Sequence, residues 1–245
     1  MRNIEDIDRS VVGRYMTAYR NASAWTVSRE LSAINKVLGT SYRPCDFGFI
    51  KRRTYKSIKN NRGALPKTST AHRPENQEGL YFALATGCRR ASVTTATASD
   101  AIRNETGQVM GFCFLEKGGR ARNSLVLPSE RETLTKWIDD KLEKGLSPNA
   151  PLVSYIDKNC GTHRMRADYA RQLYDEIKTA REAGRDVYDG RRAQFINQER
   201  YERAMQDDRY KQNELHGYDK SIILEISMSL GHNRIDVALY NYLLR

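Results

Sequence analysis

Four short stretches of the chain carry, in order, side chains able to work on a phosphate: Ala85-Thr86-Gly87-Cys88-Arg89-Arg90, Glu116-Lys117-Gly118-Gly119-Arg120, Thr162-His163-Arg164-Met165-Arg166, and Leu230-Gly231-His232 followed by Tyr240 and Tyr242. A phosphodiester under nucleophilic attack gains charge on its nonbridging oxygens. Arginine meets that charge well, because its planar fork holds two oxygens at once and keeps its proton. Arg89 and Arg166 are the candidates for such a clamp. His163 precedes Arg166 by one helical step, so on a helix the two share a face, where the histidine can donate to phosphate or accept a proton. Taken singly, each pattern has a plainer reading. Arg89 and Arg90 could decorate a helix end, a turn lysine is ordinarily solvated, and two tyrosines near a helix terminus often only pack. Cys160 with His163 supplies half of a zinc ligand set and no second pair follows, so no metal is expected.

The joint order of these motifs outweighs the separate readings, and the chain resembles the tyrosine recombinase (phage integrase) family. The resemblance covers residues 80 to 245 well and the N-terminal segment loosely. It implies a mainly α fold with a small antiparallel β-sheet, in which a helical core-binding segment precedes the catalytic domain. Arg89, Lys117, His163, Arg166 and His232 then correspond to the catalytic set, with Lys117 as general acid to the departing 5′ oxygen, His163 as a donor and proton acceptor, and His232 as a further donor to the phosphate. A tyrosine would attack and leave a 3′-phosphotyrosyl ester. That ester is close in energy to the bond it replaces, so another strand's 5′ hydroxyl can reverse the step without ATP, metal or any other cofactor. The partners implied are double-stranded DNA, further copies of the chain forming a dimer to tetramer on it, and accessory DNA-bending proteins. A bacterial, phage or mobile-element protein of the cytoplasm, associated with the nucleoid when bound, fits that role. The alternative is a noncatalytic DNA-binding relative of the same fold.

The family's spacing from histidine to tyrosine falls on Asn241, between two tyrosines. A helix turns about 100° per residue, so Tyr240 and Tyr242 cannot occupy one place without a local insertion or deletion. Tyr242 is favoured, since Asn241-Tyr242-Leu243 resembles the family's ending with one residue inserted before it. Tyr240 fits a core position with Val237 and Leu244.

Composition agrees with a polyanionic partner. The chain has 245 residues, 41 Lys+Arg against 30 Asp+Glu, a net charge of +11 and 39% hydrophobic residues. It is too apolar for general disorder and has no apolar run long enough for a membrane span, Ile222 to Leu230 being interrupted by Glu225 and serines. The four scattered cysteines suit a reducing compartment. Residues 1 to 73 hold 15 basic and 5 acidic side chains, 15 − 5 = +10, so most of the excess lies there.

The elements that must position these residues follow from periodicity. Val27, Leu31, Ile34 and Leu38 predict a helix from Ser23 to Gly39, flanked by helices around Val11 to Asn21 and Phe49 to Lys59. Residues 1–62 then form a basic helical domain whose Arg52, Arg53, Lys56 and Lys59, with Arg90 and Arg120 further on, are candidate DNA contacts. That domain is short for its class, as a truncated or naturally small recombinase would be. Residues 63–74 read as a linker and 75–245 as the catalytic domain. Within the latter, a helix is predicted over Glu75 to Thr86, a hairpin over Gln108 to Leu127 with its turn at Glu116 to Arg120, and an amphipathic helix over Ser129 to Lys144. Residues 178–216, with 9 basic and 8 acidic side chains, read as a solvated, partly helical insertion.

Overall fold

The computed structural model describes residues 4–49, 69–116, 119–207, 215–232 and 234–244, without the side chains of residues 5, 116 and 120. The chain divides into two compact units, Met1–Asn60 and Asn61–Arg245. The helix expected around Phe49 to Lys59, with Arg52, Arg53, Lys56 and Lys59, lies outside the described residues, as does Lys117.

In the first unit, α1 (Arg9–Thr17) and α2 (Ala24–Leu38) bury Val12, Met16, Val27 and Leu31 together. Ser23 caps α2 by accepting from the Thr26 amide, and Gly39 ends it at φ 63°, a left-handed conformation that glycine adopts without strain. The first helix begins two residues before the expected start because Asp8 accepts from the Val11 amide at 2.9 Å.

The second unit is mostly helical around a three-stranded antiparallel sheet of order β1-β2-β3. It opens with α3 (Pro74–Thr86), whose first residue is a proline, a favoured helix start. Residues 70–74, expected as the end of a linker, already belong to this unit. The Thr70 amide donates to the Asn159 carbonyl at 3.2 Å, and buried Asn76 donates to the Thr70 carbonyl at 2.8 Å. After the short α4 (Arg90–Val93) come β1 (Ala101–Arg103), β2 (Val109–Glu116) and β3 (Arg120–Leu125), with Phe112 paired to Ser124 and Phe114 to Arg122. The second half of β2 alternates, with Phe112 and Phe114 buried and Cys113 and Leu115 exposed, whereas Val109 to Phe112 are all buried. The hairpin was readable from this pattern. β1, only three residues long, has no period to read.

Helix α5 (Arg131–Glu143) closes over the buried face with Leu134 and Ile138, which join Phe82, Phe112 and Phe114 in one core. Each such side chain contributes about 1.5–3 kcal/mol by leaving water. The long α6 (Thr162–Glu182) buries Arg166, Tyr169, Ala170, Leu173, Ile177 and Ala180 along one stripe. It packs on α9 (Lys220–Ser229), α10 (Ile235–Ala238) and a closing π-helical turn, Leu239–Leu243, in a second core. Between them lie α7 (Arg192–Phe195) and α8 (Gln198–Met205). The solvated character expected of residues 178–216 is corrected here: Val187, Tyr188, Phe195, Ile196 and Leu215 are buried in that second core. Few apolar residues were enough because these five point inward. Among the described residues, no helix is long and apolar enough to cross a membrane.

Candidate active site

Helix α6 delivers Arg166, with 1% of its surface exposed, into the centre of the second unit. Its guanidinium donates to the backbone carbonyls of Gly87 and Leu230. It also meets His232 Nε2 at 3.3 Å through Nη2 and donates to the Tyr242 hydroxyl at 3.3 Å through Nε. The same hydroxyl stands 3.0 Å from His232 Nε2. With that nitrogen unprotonated, the phenol donates to the histidine while accepting from the arginine. This arrangement can take the proton from the oxygen and stabilise the phenolate left behind.

Two glycines permit the assembly. Gly87 ends α3 at φ 60°, and a Cβ there would lie 2.4 Å from the Tyr169 ring. Gly231 adopts φ 72°, and its Cβ would fall 2.5 Å from Cδ of Arg122. Both positions are therefore closed to larger residues on two independent grounds. A buried hydroxyl network secures the surrounding backbone. Tyr169 donates to the Leu125 carbonyl at 2.7 Å and lies 2.6 Å from Ser229 Oγ, which accepts from the Leu125 amide at 3.0 Å. Ser124 donates to the Thr86 carbonyl at 2.6 Å.

Arg89, half-buried, follows Gly87 and Cys88 directly. Burial, and then the positive charges of Arg166 and Arg122, lower its pKa to about 10, against a raising effect of Tyr242. Arg122 on β3 is 8% exposed, donates to the Ser229 carbonyl and places its guanidinium carbon 5.3 Å from the Phe114 ring centre. Burial, and then Arg166, likewise lower it to about 10. Mutual depression of this kind is what like charges do when gathered out of water, and an incoming anion relieves it.

The structure thus brings Arg89, Arg166, His232 and Tyr242 together. His163 sits exposed in the first turn of α6, and Arg90 is exposed at the start of α4. Arg120 begins β3, its side chain not described. Tyr240 is half-buried, packs against the second core and lies 6.2 Å from the His216 ring. Sequence reasoning passed over Arg122. Strand parity carried the signal, since it alternates in register with Ser124 and Val126, both buried.

The closing turn has its own geometry. The Leu244 amide donates to the Leu239 carbonyl at 2.9 Å, five residues back, so this turn holds one residue more than an α-turn. Among the described residues, no group of three or more His, Cys, Asp or Glu side chains is arranged to hold a metal ion. No family model, curated protein or solved structure matches the chain.

Proposed function

We propose that the protein is a site-specific DNA recombinase or integrase of the tyrosine class, which cleaves and rejoins duplex DNA through a 3′-phosphotyrosyl intermediate. The observation that carries this reading is the Tyr242 hydroxyl, 3.0 Å from His232 Nε2 and 3.3 Å from Arg166 Nε, beside two further arginines whose pKa values are depressed. The π-turn supports it independently. The favoured reading of Tyr242 as nucleophile asks for one residue inserted ahead of it, and a π-turn is how a helix absorbs one residue without losing its axis.

In this mechanism Arg89 and Arg166 hold the nonbridging oxygens, with Arg122 adding its charge. Tyr242 Oη forms a bond to phosphorus while its proton passes to a base. The contact geometry favours His232 for that task over His163, to which the motif order alone assigned it. The bond from phosphorus to the 5′ oxygen breaks, and that oxygen leaves as a hydroxyl after protonation, the role the resemblance gives Lys117. A second strand's 5′ hydroxyl reverses these steps and completes exchange between DNA sites held by a dimer or tetramer. Because side chains supply the charge, neither a divalent metal nor ATP takes part.

A duplex nicked beside the cleavage point tests the proposal, since loss of the short fragment traps the covalent protein–DNA adduct. Adduct is expected in EDTA, and Tyr242→Phe is expected to abolish it with DNA affinity little changed and stability lowered by about 1–2 kcal/mol, since buried Arg166 loses a hydrogen-bond partner. Retained binding with no adduct from the parent protein would instead identify a noncatalytic DNA-binding relative. Adduct that disappears on chelation and returns with a divalent metal would overturn the mechanism.

A further inference from the structure

We propose that Arg171 is a positioning residue for Tyr242, gripping the backbone of the residue whose side chain Arg166 grips; the inference rests on Tyr242 being the nucleophile. Both arginines belong to α6. Arg166 Nε reaches the Tyr242 hydroxyl at 3.3 Å, while Arg171 Nη1 donates to the Tyr242 backbone carbonyl at 3.2 Å. One rigid helix therefore holds this residue at both ends. Arg171 is itself oriented by Asp168, one turn earlier, which also attracts Arg164 at 3.7 Å. The neighbouring carbonyl, that of Leu243, accepts from the Tyr218 hydroxyl at 3.3 Å.

The need for an outside grip follows from where the carbonyls lie. Those of a helix's last turn have no amide ahead of them within the helix, so they are left to water or to side chains. A π-turn is also a rare conformation that persists when its surroundings determine it. The Asn241 side chain does not brace it through Oδ1: the residue is 7% exposed, and that oxygen has no hydrogen-bond partner among the described residues. A charged donor on the Tyr242 carbonyl fixes the register of the turn, and with it the distance from phenol to phosphate. A displacement of roughly 1 Å at a reacting centre slows reaction by about 100-fold.

The test uses the full chain with Arg171→Ala and Arg171→Lys. At saturating nicked duplex, Arg171→Ala is expected to slow adduct formation by about 10-fold to 100-fold, with half-saturation within about twofold of the parent, and Arg171→Lys to recover most of the rate. Hydrogen exchange on the free protein reads the grip without any chemistry. The Leu244 amide, bonded to the Leu239 carbonyl, should exchange at least about tenfold faster in Arg171→Ala, while the Leu173 and Ile177 amides of α6 keep their protection. Unchanged rate and exchange in Arg171→Ala would overturn the proposal. A loss confined to DNA affinity would overturn it too, making Arg171 a phosphate contact instead. If the parent forms no adduct, the recombinase reading fails, and the exchange measurement alone decides whether Arg171 holds the turn.

Discussion

Two buried charge centres sit in the second unit, and they are built on opposite principles. At Glu225, 1% exposed, a single carboxylate is enclosed by the molecule's own donors: Arg181 at 2.8 Å, Arg192 at 2.7 Å and the Tyr188 hydroxyl at 3.0 Å. Burial and this carboxylate hold the Tyr188 phenol well above its usual pKa, so it remains a donor. At Arg166, equally buried, the partners among the described residues are two backbone carbonyls, His232 and Tyr242, with no carboxylate among them. Arg89 and Arg122 add charge of the same sign nearby. The first centre is completed by folding. The second gathers like charges, and under the proposed function it is the one that would receive the phosphate.

That contrast breaks most visibly at Glu225. Replacing it with alanine takes the counter-charge from Arg181 and Arg192 and the acceptor from the Tyr188 hydroxyl, and since both arginines are partly exposed the cost is expected at the low end of the about 3–5 kcal/mol for breaking a buried pair. Glu225→Ala is therefore expected to lower the thermal midpoint more than the substitutions at Arg89, Tyr240 and Tyr242, read by calorimetry or denaturant unfolding. A loss below about 1 kcal/mol would show that water reaches this centre and that its burial is not what distinguishes it.

Arg89 sharpens the contrast from the other side. It is held near Arg166 and Arg122 at an electrostatic cost, so Arg89→Met is expected to leave stability equal to or above that of the parent while cutting adduct formation by about 100-fold to 1,000-fold, the usual effect of removing one transition-state donor. Inorganic sulfate or phosphate should raise the parent's thermal midpoint more than sodium chloride at equal ionic strength, and that difference should shrink in Arg89→Met. A midpoint that falls on losing Arg89, with no anion effect in the parent, would mean the cluster is structural like its counterpart. The sign is the informative part: a mutation that strengthens the fold and weakens the chemistry marks a charge kept for an external partner.

The sequence carried these two centres unequally. Gly87, Arg89, Arg166, Gly231, His232 and Tyr242 were legible because motif order tied them together, and because α6 has regular apolar spacing and α3 a continuous apolar run. The Glu225 centre was invisible. Within the run Ile222 to Leu230, Glu225 and the serines read only as interruptions to an apolar stretch, yet Glu225 and Ser229 are buried hubs whose partners lie 33 to 107 residues away in the chain. No local pattern encodes such partners. Arg122 was hidden for a related reason, since a basic residue in a strand reads as solvent-facing until its parity is set against the pairing of Phe114. The π-turn was legible only as a misfit of one residue, because periodicity describes α-helices and a π-turn is defined by its departure from them.

The smallest effect is expected at Tyr240, and it decides whether the turn has been read in the right register. Two residues along a helix point about 200° apart, so Tyr240 and Tyr242 face opposite sides. The Tyr242 hydroxyl is the one within 3.3 Å of Arg166 and 3.0 Å of His232, whereas the Tyr240 ring packs on the second core near His216. Phenylalanine keeps that ring, and Tyr240→Phe removes only an oxygen. Adduct formation within about twofold of the parent and a stability change below about 1 kcal/mol are expected, smaller than that of Tyr242→Phe. The reverse pattern, with Tyr240→Phe inactive and Tyr242→Phe competent, would mean that the turn rewinds to an α-helix on DNA and brings the earlier tyrosine to the phosphate. Hydrogen exchange at the Leu244 amide with DNA bound would separate the two registers: in the π-turn it is bonded to the Leu239 carbonyl, and in an α-turn it would take the Tyr240 carbonyl instead, changing its protection along with that of Leu243.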